Sequence, residues 1–173
     1  MTGIIDAIVS PVVDNLFGER RLRAKDERER RRAAAKDLLQ WLDPMADELR
    51  HLRWRRNPMR WHELIEGTYQ SLDEGRPLVP PAWHHLKHSL RDCLGHGVGG
   101  GFALLDLIEV PENSEVDYHP EWSMYAGDYV DLCRRQVRLW GDTWGARQAQ
   151  RNSIPTYDEW LRRSGLWPKP SQR

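Results

Sequence analysis

Residues 38–52 read LLQWLDPMADELRHL. Leu38, Leu42, Met45, Leu49 and Leu52 recur in steps of four and three, so on a helix they form one seam that faces a partner helix. A matching surface lies further along the chain, in residues 122–144, WSMYAGDYVDLCRRQVRLWGDTW. Trp122, Tyr125, Tyr129, Cys133, Val137, Trp140 and Trp144 again recur every three or four residues and share one stripe. The two stripes are long enough to cover each other. No alternating pattern persists elsewhere; residues 103–110 are the one strand-like run, and a single strand cannot build a sheet. The expectation is an all-α fold, a helical bundle of five or six helices with a long N-terminal charged helical arm.

Helix punctuation supports this count. Ser10-Pro11, Asp43-Pro44 and Asn57-Pro58 each put a capping side chain before a proline whose missing N–H costs nothing in a first turn. They predict three helix starts, with Asp43-Pro44 also read as a kink in the seam. Pro80-Pro81 predicts a fourth helix running to Gly95 and Gly97, and Ser123 or Pro120 opens a fifth. Thr156 with Glu159 forms a capping box; Gly165, Leu166 and Pro168 then close a last helix over about residues 157–164.

The 173 residues carry 26 basic and 26 acidic side chains, and nine tryptophans help to fill a core that the aliphatic residues alone would leave thin. Charge is sorted along the chain: residues 1–60 hold 14 basic and 10 acidic groups, residues 61–133 hold 3 and 13, and residues 134–173 hold 9 and 3. Basic ends that fold back on an acidic middle neutralise it internally; left exposed, they meet an anionic partner. No apolar run approaches the roughly 18–20 residues of a spanning helix, and the N-terminus lacks a positive leader, so a cytoplasmic location is expected. Cys93 and Cys133 sit in helical contexts and are read as buried reduced thiols.

Two parts of the chain differ most. Residues 1–37 combine an amphipathic helix with a charged helical arm, and residues 38–173 form a Trp-rich helical domain. Ile4, Ile5, Ile8, Val9, Val12, Val13, Leu16 and Phe17 form an apolar face, while residues 19–36 carry almost nothing apolar beyond Leu22 and alanines. The acid-base pairs Glu19/Arg23, Asp26/Arg30 and Glu27/Arg31 lie at i,i+4, and Gly18 permits a bend between the two stretches. Ile5, Ile8, Val12 and Leu16, with Arg20 and Arg23, are the candidate partner-binding residues. The partner is a second copy or another protein; a membrane surface is the alternative occupant, although acids rather than Lys/Arg line the polar face.

Three chemical readings compete with an interaction role. His84, His88 and Asp92, with His96, fall in i,i+4 steps if one helix carries them, which suggests a small metal-dependent hydrolase. A straight row spans about 12 Å at ~1.5 Å per residue, so a further ligand from Asp117, His119 or Glu121 would be needed. Trp140, Trp144, Arg147 and Arg151 share a helical face on which indoles could stack on bases and guanidiniums could meet phosphate. Residues 95–101 contain G-x-G-x-x-G, but follow a helix rather than a strand, so a helix stop, hinge or close helix packing explains them better. His62-Glu63 is only half of a zinc-protease motif. The sequence points to a non-catalytic interaction or assembly protein, forming homo-oligomers or coiled coils and requiring no cofactor.

Overall fold

The computed structural model describes residues 6–53, 56–98, 120–142 and 153–166, with side chains from residue 20 onward and, in the third segment, from residue 121. These residues form five α-helices and no strand: α1 (Asp6–Arg50), α2 (Pro58–Glu74), α3 (Leu86–Val98), α4 (Pro120–Gly141) and α5 (Tyr157–Arg163). The strand-like run at 103–110 lies outside the described residues.

The 38–52 seam packs on α4 as its periodicity requires. Leu38, Leu42, Met45 and Leu49 are at most 2% exposed, and Tyr129, Cys133, Val137 and Trp140 are buried with them. The two helices run antiparallel, since Ala35 lies beside Gly141 and Leu49 beside Gly127. Helix α2 turns back along α1: Ser71 donates to Asp37 at 2.6 Å, and the Trp41 indole covers Gly67. A Cβ on Gly67 would lie 2.4 Å from that ring. On the other side, α3 runs antiparallel to α4, with Gly97 against Ala126 and the Cys93 thiol donating to the Ala126 carbonyl at 3.6 Å. The order is therefore up-down-up-down, closed by weaker contacts between α2 and α3. Helix α5 covers the far side of α3 and α4 through Tyr157, which stands edge-on to Tyr129 at 5.2 Å.

Two punctuation signals work as read. Asn57 accepts the Arg60 N–H at 3.1 Å and opens α2 at Pro58. Thr156 and Glu159 exchange both capping-box bonds, and at the other end Leu166 N–H reaches the Leu161 carbonyl while Gly165, at φ +68°, donates to Arg162. This is a Schellman closure.

Other signals are overridden. Helix α1 starts at Asp6 and is continuous through Ser10-Pro11, Gly18 and Asp43-Pro44, so neither predicted start is used. An interior proline costs about 3 kcal/mol in helix formation. At Pro44, buried Leu42, Met45, Ala46 and Leu49 offset that loss. Asp43, read as a cap, instead accepts two bonds from Arg138 at 3.0 and 3.1 Å, and Arg134 approaches it at 3.5 Å. Leu52 leaves the seam because α1 has ended: it takes φ +54° and is 41% exposed. Pro80-Pro81 opens only a 3₁₀ turn, Pro81–Trp83, and α3 begins afresh at Leu86. Helix α3 then continues through Gly95 and Gly97 to Val98, because Gly97 is needed for close packing against α4 rather than for a stop.

Candidate interaction site

At ~1.5 Å per residue, the 45 residues of α1 extend about 67 Å, against about 25 Å for the 17 residues of α2. Its burial is confined to one end. Every residue from 20 to 30 is exposed, Arg31 is half-buried, and the core face begins with Ala34 and Ala35. Leu22, the only large apolar side chain in that exposed run, is 62% accessible. Along the arm, Lys25 and Glu29 form an i,i+4 pair at 3.9 Å. The predicted Asp26/Arg30 and Glu27/Arg31 pairs do not form among the described residues. Such exposed pairs contribute only about 0.2–0.5 kcal/mol each, too little to fix long side chains.

The predicted partner-binding residues fall along this arm. Ile8, Val12 and Leu16 belong to the first turns of α1, but their side chains, and Ile5 altogether, lie outside the described residues. Arg20 and Arg23 are exposed where the description of side chains begins. No described helix is long and apolar enough to cross a membrane.

The histidine row does not assemble as predicted. His84 belongs to the turn before α3, so it shares no helix with His88. His88 pairs with Asp92 at 3.3 Å, while the His96 ring lies 5.4 Å from Trp122 and 5.7 Å from Tyr157. No group of three His, Cys, Asp or Glu side chains among the described residues is arranged to hold a metal ion. Asp117 and His119 lie outside the described residues, and Glu121 is exposed at the start of α4. Further back, Glu63 of the His62-Glu63 motif accepts from Arg60 at 3.1 Å.

The Trp/Arg face is divided in the same way. Trp140 is 3% exposed and meets Trp83 edge-on at 5.8 Å, so it is part of the core rather than a platform for a base. Trp144, Arg147 and Arg151 lie outside the described residues. Arg134 and Arg138, just before Trp140, are committed to Asp43 and Asp131.

One histidine escaped the sequence reading. His85 Nε2 lies 3.0 Å from the Ile154 carbonyl and Nδ1 lies 3.0 Å from the Ser89 hydroxyl. A carbonyl can only accept, so Nε2 carries the proton and Ser89 donates to Nδ1 in the neutral ring. With the Tyr129 hydroxyl donating to the Pro155 carbonyl at 2.8 Å, His85 ties the segment before α5 to the bundle. Cys93 and Cys133 are free and buried, as expected, and burial pushes both thiols up from their ordinary range.

Comparison with protein families, curated proteins and solved structures finds no match to this chain.

Proposed function

We propose that this chain is a non-catalytic assembly protein that joins a second copy of itself through the N-terminal half of α1. The observation that carries this reading is the exposed run 20–30 within a continuous 45-residue helix. A helix without tertiary cover is marginal in water, since its stability comes mainly from packing an amphipathic face. The apolar side chains at 4–17 supply such a face by sequence, and a second arm offers the simplest complementary surface. The basic groups from Arg20 onward would then flank the contact and exclude wrong registers by charge.

Light scattering of the full chain across a hundredfold concentration range tests this. Self-association should be lost in an Ile8→Asp/Val12→Asp double variant with the bundle still folded by near-ultraviolet circular dichroism. A full-length protein that is monomeric throughout would refute the proposal, and binding to anionic vesicles by that monomer would assign the arm to a membrane surface.

A further inference from the structure

A cavity of about 270 Å³ opens at the corner where the turn after α2 meets the start of α3. Leu72, Val79 and Trp83 form its apolar wall and are each no more than 8% exposed. Its remaining lining is almost wholly basic: Arg76, His84, Lys87, His88 and Arg91, with Asp73 as the single acid.

This concentration runs against the local composition. Residues 61–133 contain thirteen Asp and Glu but only three Lys and Arg, and those three are Arg76, Lys87 and Arg91. All three line the one cavity. Asp73 is already neutralised by Lys87, whose ammonium lies 2.5 Å from the carboxylate and sits over the Tyr69 ring. His88 has its own acid in Asp92. Among the described residues Arg76 and Arg91 have no ion-pair partner, although the stretch of sequence that holds them is rich in acids. Bringing like charges together from two elements does nothing for folding, so their convergence asks for an external anion.

We propose that this corner binds a phosphate dianion, either free or as the terminal group of a small phosphomonoester. Two unpaired guanidiniums match two negative charges, and each planar fork can donate two parallel hydrogen bonds to a tetrahedral oxyanion. A monocarboxylate would leave one fork unmatched. The volume lies below the roughly 300–1,000 Å³ of sites that hold drug-sized ligands, which fits a small anion or the end of a short ester. The site is independent of self-association, because none of its lining belongs to α1.

Isothermal titration of the full chain with inorganic phosphate and with phenyl phosphate, at fixed ionic strength, decides the matter. Saturable one-to-one binding is expected with at least one of them. Arg76→Gln and Arg91→Gln should each weaken it by about tenfold or more, the loss of a charge-assisted pair. Both arginines are exposed, so neither change disturbs the core. Arg135→Gln, an exposed change of the same charge on α4, should leave binding unaltered. Tighter binding of phenyl phosphate would identify an ester whose organic part lies on the Leu72–Val79–Trp83 wall, and equal binding would identify the free ion. Absence of heat with both ligands at millimolar concentration would overturn the proposal, and so would equal weakening by Arg135→Gln or none by Arg91→Gln.

Discussion

The two ends of α1 share one backbone conformation and almost nothing else. Toward the C-terminus, residues 35–49 bury a seam between α2 and α4, and the packing is strong enough to carry a proline through the helix interior. Toward the N-terminus, residues 20–30 have no buried face and consist mainly of charges. The first end is helical because tertiary contacts hold it so; the second relies on Arg, Glu, Lys and Ala, which are good helix formers, and on continuity with the end already folded. Helicity alone therefore says little about where stability resides.

The same substitution made at both ends gives the largest contrast. Leu42→Ala, at a fully buried position, should cost about 2–5 kcal/mol, and Trp140→Ala across the interface about 3–5 kcal/mol. Leu22→Ala, 62% exposed on the arm, should stay within about 0.5 kcal/mol. Urea unfolding of the three variants measures this directly. Comparable losses at Leu22 and Leu42 would mean that the arm is as firmly packed as the seam.

Alkaline titration separates the ends by another route. Burial raises the Cys93 and Cys133 thiols and the Tyr69, Tyr129 and Tyr157 phenols, all of them in the bundle. In the folded chain they keep their protons at a pH where the unfolded chain, with ordinary values of 9.0 for thiols and 10.0 for phenols, has released them. The unfolded state then binds fewer protons, so stability is intact below the ordinary value and falls as pH rises beyond it. Each fully protected group contributes a slope of about 1.4 kcal/mol per pH unit. Thermal midpoints should be flat from about pH 7 to about pH 8 and should decline steeply by about pH 10. A midpoint unchanged at alkaline pH would contradict the burial of these five groups.

Where arm and bundle meet, Gly141 is the tightest point. A Cβ there would lie 2.8 Å from the Ala35 Cβ, the first fully buried side chain of the seam. Gly141→Ala should therefore cost about 1–3 kcal/mol through overpacking, despite the gain in helix propensity. A stabilised variant would show that α1 and α4 can separate at this level without loss, and that the boundary between the two ends lies nearer Leu38.

The parts of this architecture that were legible in the sequence are those governed by neighbours in the chain. The seam, the aromatic stripe, the Asn57 cap and the Thr156–Glu159 box all depend on spacings of a turn or two. Asp43-Pro44 has the same local grammar as Asn57-Pro58, yet Asp43 is claimed by Arg134 and Arg138 from the opposite helix, about which local spacing is silent. His85 likewise takes its role from Ile154, 69 residues away. The exposed arm could be read from its charge. The basic corner could be read only in part: Lys87 and Arg91 lie one turn apart on α3, but Arg76 joins them only because the turn after α2 brings it to the same cavity.

The smallest effect concerns how the packed end of α1 stops. Leu52 occupies the left-handed region at φ +54°, two residues past Arg50, and its N–H reaches the Leu49 carbonyl at 3.3 Å. An L side chain there costs roughly 1–2 kcal/mol, which glycine avoids. The leucine recovers part of that cost, because it is 41% exposed and still buries the rest of its surface. Leu52→Gly should therefore leave the unfolding free energy within about 0.5 kcal/mol of its starting value, because the relieved strain and the lost burial are of similar size. Both effects belong to the bundle end alone, so self-association through the arm should not change. If Leu52→Gly instead costs about 2 kcal/mol or more, the leucine side chain is a working part of the α1–α2 junction, and the packed end of the helix extends beyond Arg50 after all.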